Sequence, residues 1–305
     1  LNEKFLMLSY QHGFHAGNIA DVLKHAVLCQ VIDYLLQKNK PFYFHDTHAG
    51  RGLYDLTHPV AQKTGEYRDG IAKIWNRPDL PAALSPYIRT LQSFNAGAGL
   101  RMYAGSSLLA QRMMTGADRL AANELHPQEY QALRDNAKDF RNLRVSHEDG
   151  YAALKAALPP QEKRGVVLID PSYELLADDA AVVNALREAI KRFSTGIYLV
   201  WYPITEPARA RRMARAVAGL FAENESKVSV SKKHLSEKKI LQLELLVREP
   251  VASNDRVADK GVMAGSGMFV INPPWQLDTI MQSALPWLVK QLAPEAGSSR
   301  IEWLD

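Results

Sequence analysis

Cysteine is almost absent from this sequence: of 305 residues, only Cys29 carries a thiol. One thiol cannot close an internal disulfide, which excludes the disulfide-stapled secreted scaffolds and points to a reducing compartment. Long apolar runs are missing as well. No stretch approaches the ~20 residues that cross a bilayer, and the N-terminus lacks the pattern of a signal peptide. The expectation is a cytoplasmic protein with no membrane association and no obligate protein partner. The chain opens on Leu1 with Met7 close behind, so residues 1–6 are left out of the fold reading. Strong charge bias is lacking too, with 37 Lys and Arg against 33 Asp and Glu and a net charge of +4. That balance permits a polyanionic partner without requiring one. Internal repeats and low-complexity segments are also absent.

What is present is enough apolar side chain, 47% of the sequence, to bury one large core. Residues 18–38 carry Ile19, Val22, Leu23, Val27, Val31 and Leu35 at helical spacing behind a capping Asn18. Cys29 falls in the same apolar run, where a thiol acts as a small hydrophobe. A strand over 41–46 then runs into the loop Asp46-Thr47-His48-Ala49-Gly50-Arg51-Gly52. Residues 53–99 are rich in Pro, Tyr and Trp and hold too much apolar surface for a linker, which predicts a helical insertion. A regular alternation follows, with strands over 119–124, 143–148, 165–170 and 196–202. Helices over 106–114, 127–138, 151–158, 178–193 and 207–221 separate and follow them. That alternation predicts parallel βαβ units. The last strands, over 240–248 and 268–272, are joined by a polar loop too irregular for a crossover helix and are predicted antiparallel. The fold expected is α/β and Rossmann-like: a seven-stranded, mostly parallel sheet with one antiparallel strand, formed by residues 7–52 and 100–305, plus the small helical insertion 53–99.

Ligands of such sheets bind at the carboxyl ends of the strands. Four of these ends are acidic, at Asp46, Glu124, Asp149 and Asp170. Any one alone is an ordinary solvated loop carboxylate, but four at one edge suit a cationic, adenosine-bearing cofactor. The glycines of the first loop, Gly50 among them, allow close backbone approach. The loop lacks the full dinucleotide fingerprint, and no helix opens directly behind it, which counts against a nicotinamide enzyme. Glu124 is placed to accept ribose hydroxyls and Asp149-Gly150 to bind an adenine amine. Ser106, as a helix cap, would offer backbone amides to a carboxylate. The segment Val166-Val167-Leu168-Ile169-Asp170-Pro171-Ser172-Tyr173 is the most informative. Asp170 and the Pro171 carbonyl can hold the two hydrogens of an exocyclic adenine amine, and Tyr173 can stack on an extruded base.

The sequence resembles the RlmJ-type bacterial 23S rRNA adenine-N6 methyltransferases over nearly its whole length from Met7. Residues 7–10, 14–18, 21–25, 46–50, 64–67, 105–106, 124–127, 196–198, 201–203 and 267–275 carry the likeness. The resemblance implies a class I methyltransferase using S-adenosylmethionine on 23S rRNA, naked or early in assembly. It implies that His25, His48, Ser106, Glu124, Asp149, Gly150 and Asp170 contact the cofactor, that Asp170 acts on the target amine, and that Tyr10 meets the RNA. One departure is Ser172, where that family has a second proline in Asp-Pro-Pro-Tyr. The amine-holding chemistry is the same on DNA, so DNA adenine is a rival substrate. A nucleic-acid-binding protein that keeps the cofactor fold without turnover is a second rival.

Three features invite other conclusions. His12, His15, His25, His45 and His48 crowd the first fifty residues, but their spacing fits no zinc pattern, and no bound metal is expected. Asn272-Pro273-Pro274-Trp275 looks like an amino-methyltransferase motif, yet it follows the reversed strand and belongs at the wrong edge of the sheet. Arg209, Arg211, Arg212 and Arg215, then Lys232, Lys233, Lys238 and Lys239, are candidates for phosphate contact or simply a solvated face.

Overall fold

Asn18 accepts a hydrogen bond from the Asp21 amide and opens helix α1 (Ile19–Leu36). This helix is buried on almost every side, which makes it a central element rather than a surface one. β1 (Tyr43–Asp46), wholly buried, leads into the glycine loop and then β2 (Leu53–Asp55). β2 pairs antiparallel with β3 (Met102–Ala104), and between them lie α2 (Pro59–Thr64), α3 (Ser85–Gln92) and single 3-10 turns. The computed structural model describes residues 11–97, 99–174, 177–225, 240–249 and 263–304.

Helices and strands then alternate through α4 (Ser106–Met113), β4 (Arg119–Asn123), α5 (Pro127–Ala137), β5 (Leu143–Ser146) and α6 (Gly150–Ala157). They continue through β6 (Gly165–Ile169), α7 (Ala177–Arg192), β7 (Ile197–Ile204) and α8 (Pro207–Glu225). The chain closes with β8 (Ile240–Leu246), β9 (Gly265–Ile271), α9 (Leu277–Leu292) and β10 (Ser298–Leu304). The large sheet has the order β10-β8-β9-β7-β6-β1-β4-β5. β5, β4, β1, β6 and β7 run parallel, while β9 is antiparallel to both β7 and β8, and β10 to β8. The chain leaves β1 toward β4 on one side and returns to β6 on the other, a topological switch point that places the ligand crevice beyond Asp46.

The Rossmann-like α/β class read from the sequence is the one observed. The sheet, however, holds eight strands rather than seven, and two rather than one oppose the parallel set. The extra strand is β10, whose sequence Ser298-Ser-Arg-Ile-Glu-Trp-Leu304 is polar and half-exposed at the sheet edge, so no apolar run marks it. Side chains alternate across the sheet with period two. Val166, Leu168 and Leu199 face α1 and the 53–104 segment, while Val167, Ile169, Tyr198 and Val200 face α7 and α8. Ile71, Ile74, Tyr87, Ile88, Leu91 and Tyr103 join the α1-side core, so that segment shares its apolar packing with the main sheet. The Asn-Pro-Pro-Trp turn lies, as predicted, at the edge away from the crevice. There Asn272, at φ +51°, donates to the carbonyls of Ser194 and Gly196 at 2.9 and 2.7 Å, and Trp275 stands 77% exposed. No helix among the described residues is long and apolar enough to cross a membrane.

Candidate active site

The loop after β1 is tied to each adjacent strand end. The backbone amide and the hydroxyl of Thr47 both donate to the Leu168 carbonyl, at 3.1 and 3.0 Å. With its one proton committed, the Thr47 hydroxyl accepts from His48 Nδ1 at 2.7 Å, which leaves His48 Nε2 as an acceptor. Burial pushes this imidazole down to about 4, so it is neutral at physiological pH. The Gly50 amide donates to Glu124 Oε2 at 2.8 Å, and the His126 amide to Oε1 at 2.7 Å. Each oxygen of Glu124 keeps an acceptor lone pair, a donor-matching arrangement for two vicinal hydroxyls. Burial raises the Glu124 pKa despite these two amides. A Cβ on Gly50 would stand 2.3 Å from Tyr54 Oη, and one on Gly150 would stand 2.0 Å from the Thr47 carbonyl. Gly150 is therefore required by the close approach of the α6 start to the loop backbone, and Gly50 by its left-handed conformation, φ +60°.

Beneath this loop, Asp46 accepts from the Ser106 hydroxyl at 2.6 Å. Burial pushes Asp46 up to about 7, against the Ser106 hydrogen bond and with help from the neighbouring Asp170 charge. Ser106 is thus not the cap of α4. Gly105, in extended backbone, takes that position, and the Ser106 side chain turns back to β1. Two buried polar atoms near the loop have no partner among the described residues: Asn123 Oδ1, one residue before Glu124, and Tyr151 Oη, whose ring stands edge-on to His48. Orphaned polar atoms, a glycine cradle and a two-lone-pair carboxylate together fit an adenosine-bearing ligand.

The Asp170 carboxylate sits at the end of β6 on the α1 side. Lys24 Nζ donates to its Oδ2 at 2.5 Å and lies 2.8 Å from Asp21 Oδ1. Asp21 in turn accepts at Oδ2 from His12 Nε2 at 2.9 Å and from the Gly17 amide at 2.8 Å. Burial opposes the Lys24 charge, but the Asp170 and Asp21 carboxylates outweigh it and hold the ammonium above its usual range. Burial opposes the Asp21 charge as well, yet His12 and Lys24 hold that carboxyl well below the usual range. Burial raises Asp170, which Lys24 only partly offsets. Among groups of His, Cys, Asp and Glu in the described residues, none is arranged to hold a metal.

Sequence reasoning named several of these residues and missed others. His48, Gly50, Ser106, Glu124, Gly150 and Asp170 converge on the switch-point crevice. Asp149 lies exposed at its lip, capping α6 through the Ala152 amide at 2.9 Å. His25 is placed inside the core, sharing a 2.7 Å hydrogen bond with Tyr103 Oη, and burial pushes it down to about 3. Pro171 is buried beside Asp170, and Ser172 half-buried. Tyr173, at φ +52°, buries its ring and donates to the Trp201 carbonyl at 2.6 Å. Tyr10, Lys232, Lys233, Lys238 and Lys239 lie outside the described residues. Of the four arginines on α8, Arg209 is committed to Asp179 at 2.7 Å and lies over the Tyr173 ring, while Arg211, Arg212 and Arg215 are exposed. The sequence did not bring forward the Lys24–Asp21–His12 set. Its only sign was an Asp and a Lys three apart in a helix of mainly apolar residues.

The comparisons with known proteins agree with this geometry. The family model described as ribosomal RNA large subunit methyltransferase D, RlmJ, matches residues 39–305. A Haemophilus influenzae protein named ribosomal RNA large subunit methyltransferase J is 44% identical over 300 residues, covering 98% of this chain and 99% of its own. The Escherichia coli protein of the same name is 43% identical over 299 residues, with 98% and 99% coverage. A Legionella pneumophila protein of solved structure superposes with a TM-score of 0.81 at 34% identity, covering 95% of this chain and 99% of that one. With a switch-point crevice built for an adenosine-bearing ligand and these matches along almost its full length, the chain belongs to the RlmJ family of ribosomal RNA large-subunit methyltransferases.

Proposed function

We propose that this protein uses S-adenosylmethionine to methylate the exocyclic N6 amine of an adenine in 23S rRNA. The observation that carries the proposal is the Asp170 carboxylate, fixed at the switch point with a pKa raised by burial and paired to a cation that has a second carboxylate in reserve. Bound at the crevice, the cofactor supplies an electrophilic sulfonium methyl group. Glu124 takes the ribose hydroxyls, Asp149-Gly150 the adenine edge, and the loop of His48 and Gly50 the middle of the molecule, with Ser106 beneath. His25 supports this wall from inside the core. Asp170 and the Pro171 carbonyl accept the two hydrogens of the target amine, which favours a pyramidal nitrogen with an available lone pair. After transfer the nitrogen must shed a proton, and a carboxylate whose pKa burial has raised is a better acceptor than an ordinary one. Tyr173 fixes the turn that aims these groups, and Tyr10 contributes to RNA contact.

Tritiated methyl transfer to a 23S rRNA fragment and to duplex DNA tests the reading. Transfer is expected to adenine in the RNA. Asp170→Asn should lower kcat by about 10²- to 10⁴-fold while S-adenosylhomocysteine still binds in calorimetry. Preferential transfer to DNA would move the substrate. Cofactor binding with no transfer by the wild type would make the protein a binding module, with Ser172 the first residue to restore to proline.

A further inference from the structure

Trp201 stands beside Asp170 in the sheet. Ile169, the last residue of β6, pairs with Val200 of β7 in parallel register, so Asp170 and Trp201 follow the paired residues, and both meet Lys24 of α1. Lys24 Nζ joins them, 2.5 Å from Asp170 Oδ2 and 5.8 Å from the centroid of the indole. The indole is half-buried and held in place: Nε1 donates to the Ser266 hydroxyl at 2.7 Å, and Ser266 is itself fully buried. Tyr173 meets the ring edge-on at 5.6 Å and fastens the Trp201 backbone through its hydroxyl. Tyr173 offers less surface to a ligand, because its own ring is buried and carries the Arg209 guanidinium at 5.6 Å.

We propose that the Trp201 indole is the face on which the target adenine stacks, and that the Lys24 ammonium holds this seat until the base arrives. The inference rests on adenine being the substrate. An ammonium over an indole and hydrogen-bonded to a carboxylate presents a donor where an amine must donate and an electron-poor partner where a base must stack. Lys24 can withdraw from Asp170 without being stranded, since Asp21 Oδ1 at 2.8 Å remains its partner. The incoming amine then takes over the Asp170 hydrogen bond, and the larger π-face of a purine favours it over a pyrimidine.

The test compares Trp201→Leu and Trp201→Phe with the wild type. KM and kcat on an rRNA fragment are read beside calorimetric binding of adenosine monophosphate, uridine monophosphate and S-adenosylhomocysteine. Trp201→Leu should weaken adenosine monophosphate binding and raise the RNA KM by about 10- to 100-fold, with S-adenosylhomocysteine affinity unchanged. Trp201→Phe should recover most of the loss, and uridine monophosphate should bind weakly throughout. Undiminished adenosine monophosphate binding by Trp201→Leu overturns the proposal. So does equal failure of both variants with loss of S-adenosylhomocysteine binding, which marks a purely structural residue. A wild type that methylates no adenine sinks the functional assignment instead, and the mononucleotide titrations then still decide the role of Trp201.

Discussion

Burial disfavours charge on each ionisable residue at the crevice, and the partners decide which of them keep it. Lys24 stays charged because two carboxylates flank it, whereas Asp46 has a hydroxyl and an amide for partners and Asp170 as a like-charged neighbour. Asp46 therefore sits at about 7 in the folded protein against 3.8 when free. Across that window the folded state keeps a proton that the unfolded chain releases, so stability must fall as pH rises from near 4 to near 7. Asn at this position keeps an acceptor for Ser106 and has no charge to bury. Urea midpoints measured at a series of pH values should decline over this range in the wild type and run flatter in Asp46→Asn. Identical slopes in the two proteins would show that Asp46 is ionised at little cost. The acids themselves were legible in the sequence because strand ends in an α/β sheet announce a ligand edge. Lys24 was not, because a lysine inside a helix reads as solvent-facing until the helix is known to be buried on every side.

At the level of elements, most of the alternation was plain, since a strand such as Val166-Val167-Leu168-Ile169 is buried on both faces and must be apolar at every position. β2 and β3 have three residues each, too short for any period, and β10 mixes charge with aromatic residues at an edge. The cap of α4 was misplaced because a serine at a helix start usually caps it, while here a buried carboxylate competes for the hydroxyl. The Asp149-Gly150 step at the start of α6 was noticed for its acid, but its glycine matters as much. A methyl group at Gly150 would meet the Thr47 carbonyl at 2.0 Å, and Thr47 is fixed to β6 by two hydrogen bonds, so the helix must be the part that moves. Gly150→Ala should cost about 1–3 kcal/mol in stability, the range for overpacking a close contact. Displacement of α6 also shifts Asp149 and the His48 loop, so S-adenosylhomocysteine affinity should fall with it in calorimetry. Loss of stability with unchanged affinity would separate this packing from the ligand crevice.

Across the whole molecule, a net charge of +4 is too small for a general attraction to RNA to dominate, so phosphate binding has to come from local faces. Helix α8 supplies one. It begins just after β7, whose parallel neighbours end at the crevice, and it is oriented by Arg209, which grips Asp179 and lies over Tyr173. Arg211, Arg212 and Arg215 stand exposed on it, with no acidic residue between Pro207 and Phe221 to neutralise them. An exposed arginine triad within a helical turn of itself can neutralise several phosphates, releasing the counterions condensed on them. Replacing all three with Ala should weaken binding of the rRNA fragment and make the plot of log affinity against log salt shallower by about 2. The loss should be nearly the same for an unrelated RNA of equal length, because phosphate contacts carry no base information. S-adenosylhomocysteine binding should stay at the wild-type value, since none of the three reaches the switch-point loop. A salt slope unchanged by the triple substitution would move the RNA to another face of the protein and leave α8 as an ordinary solvated helix.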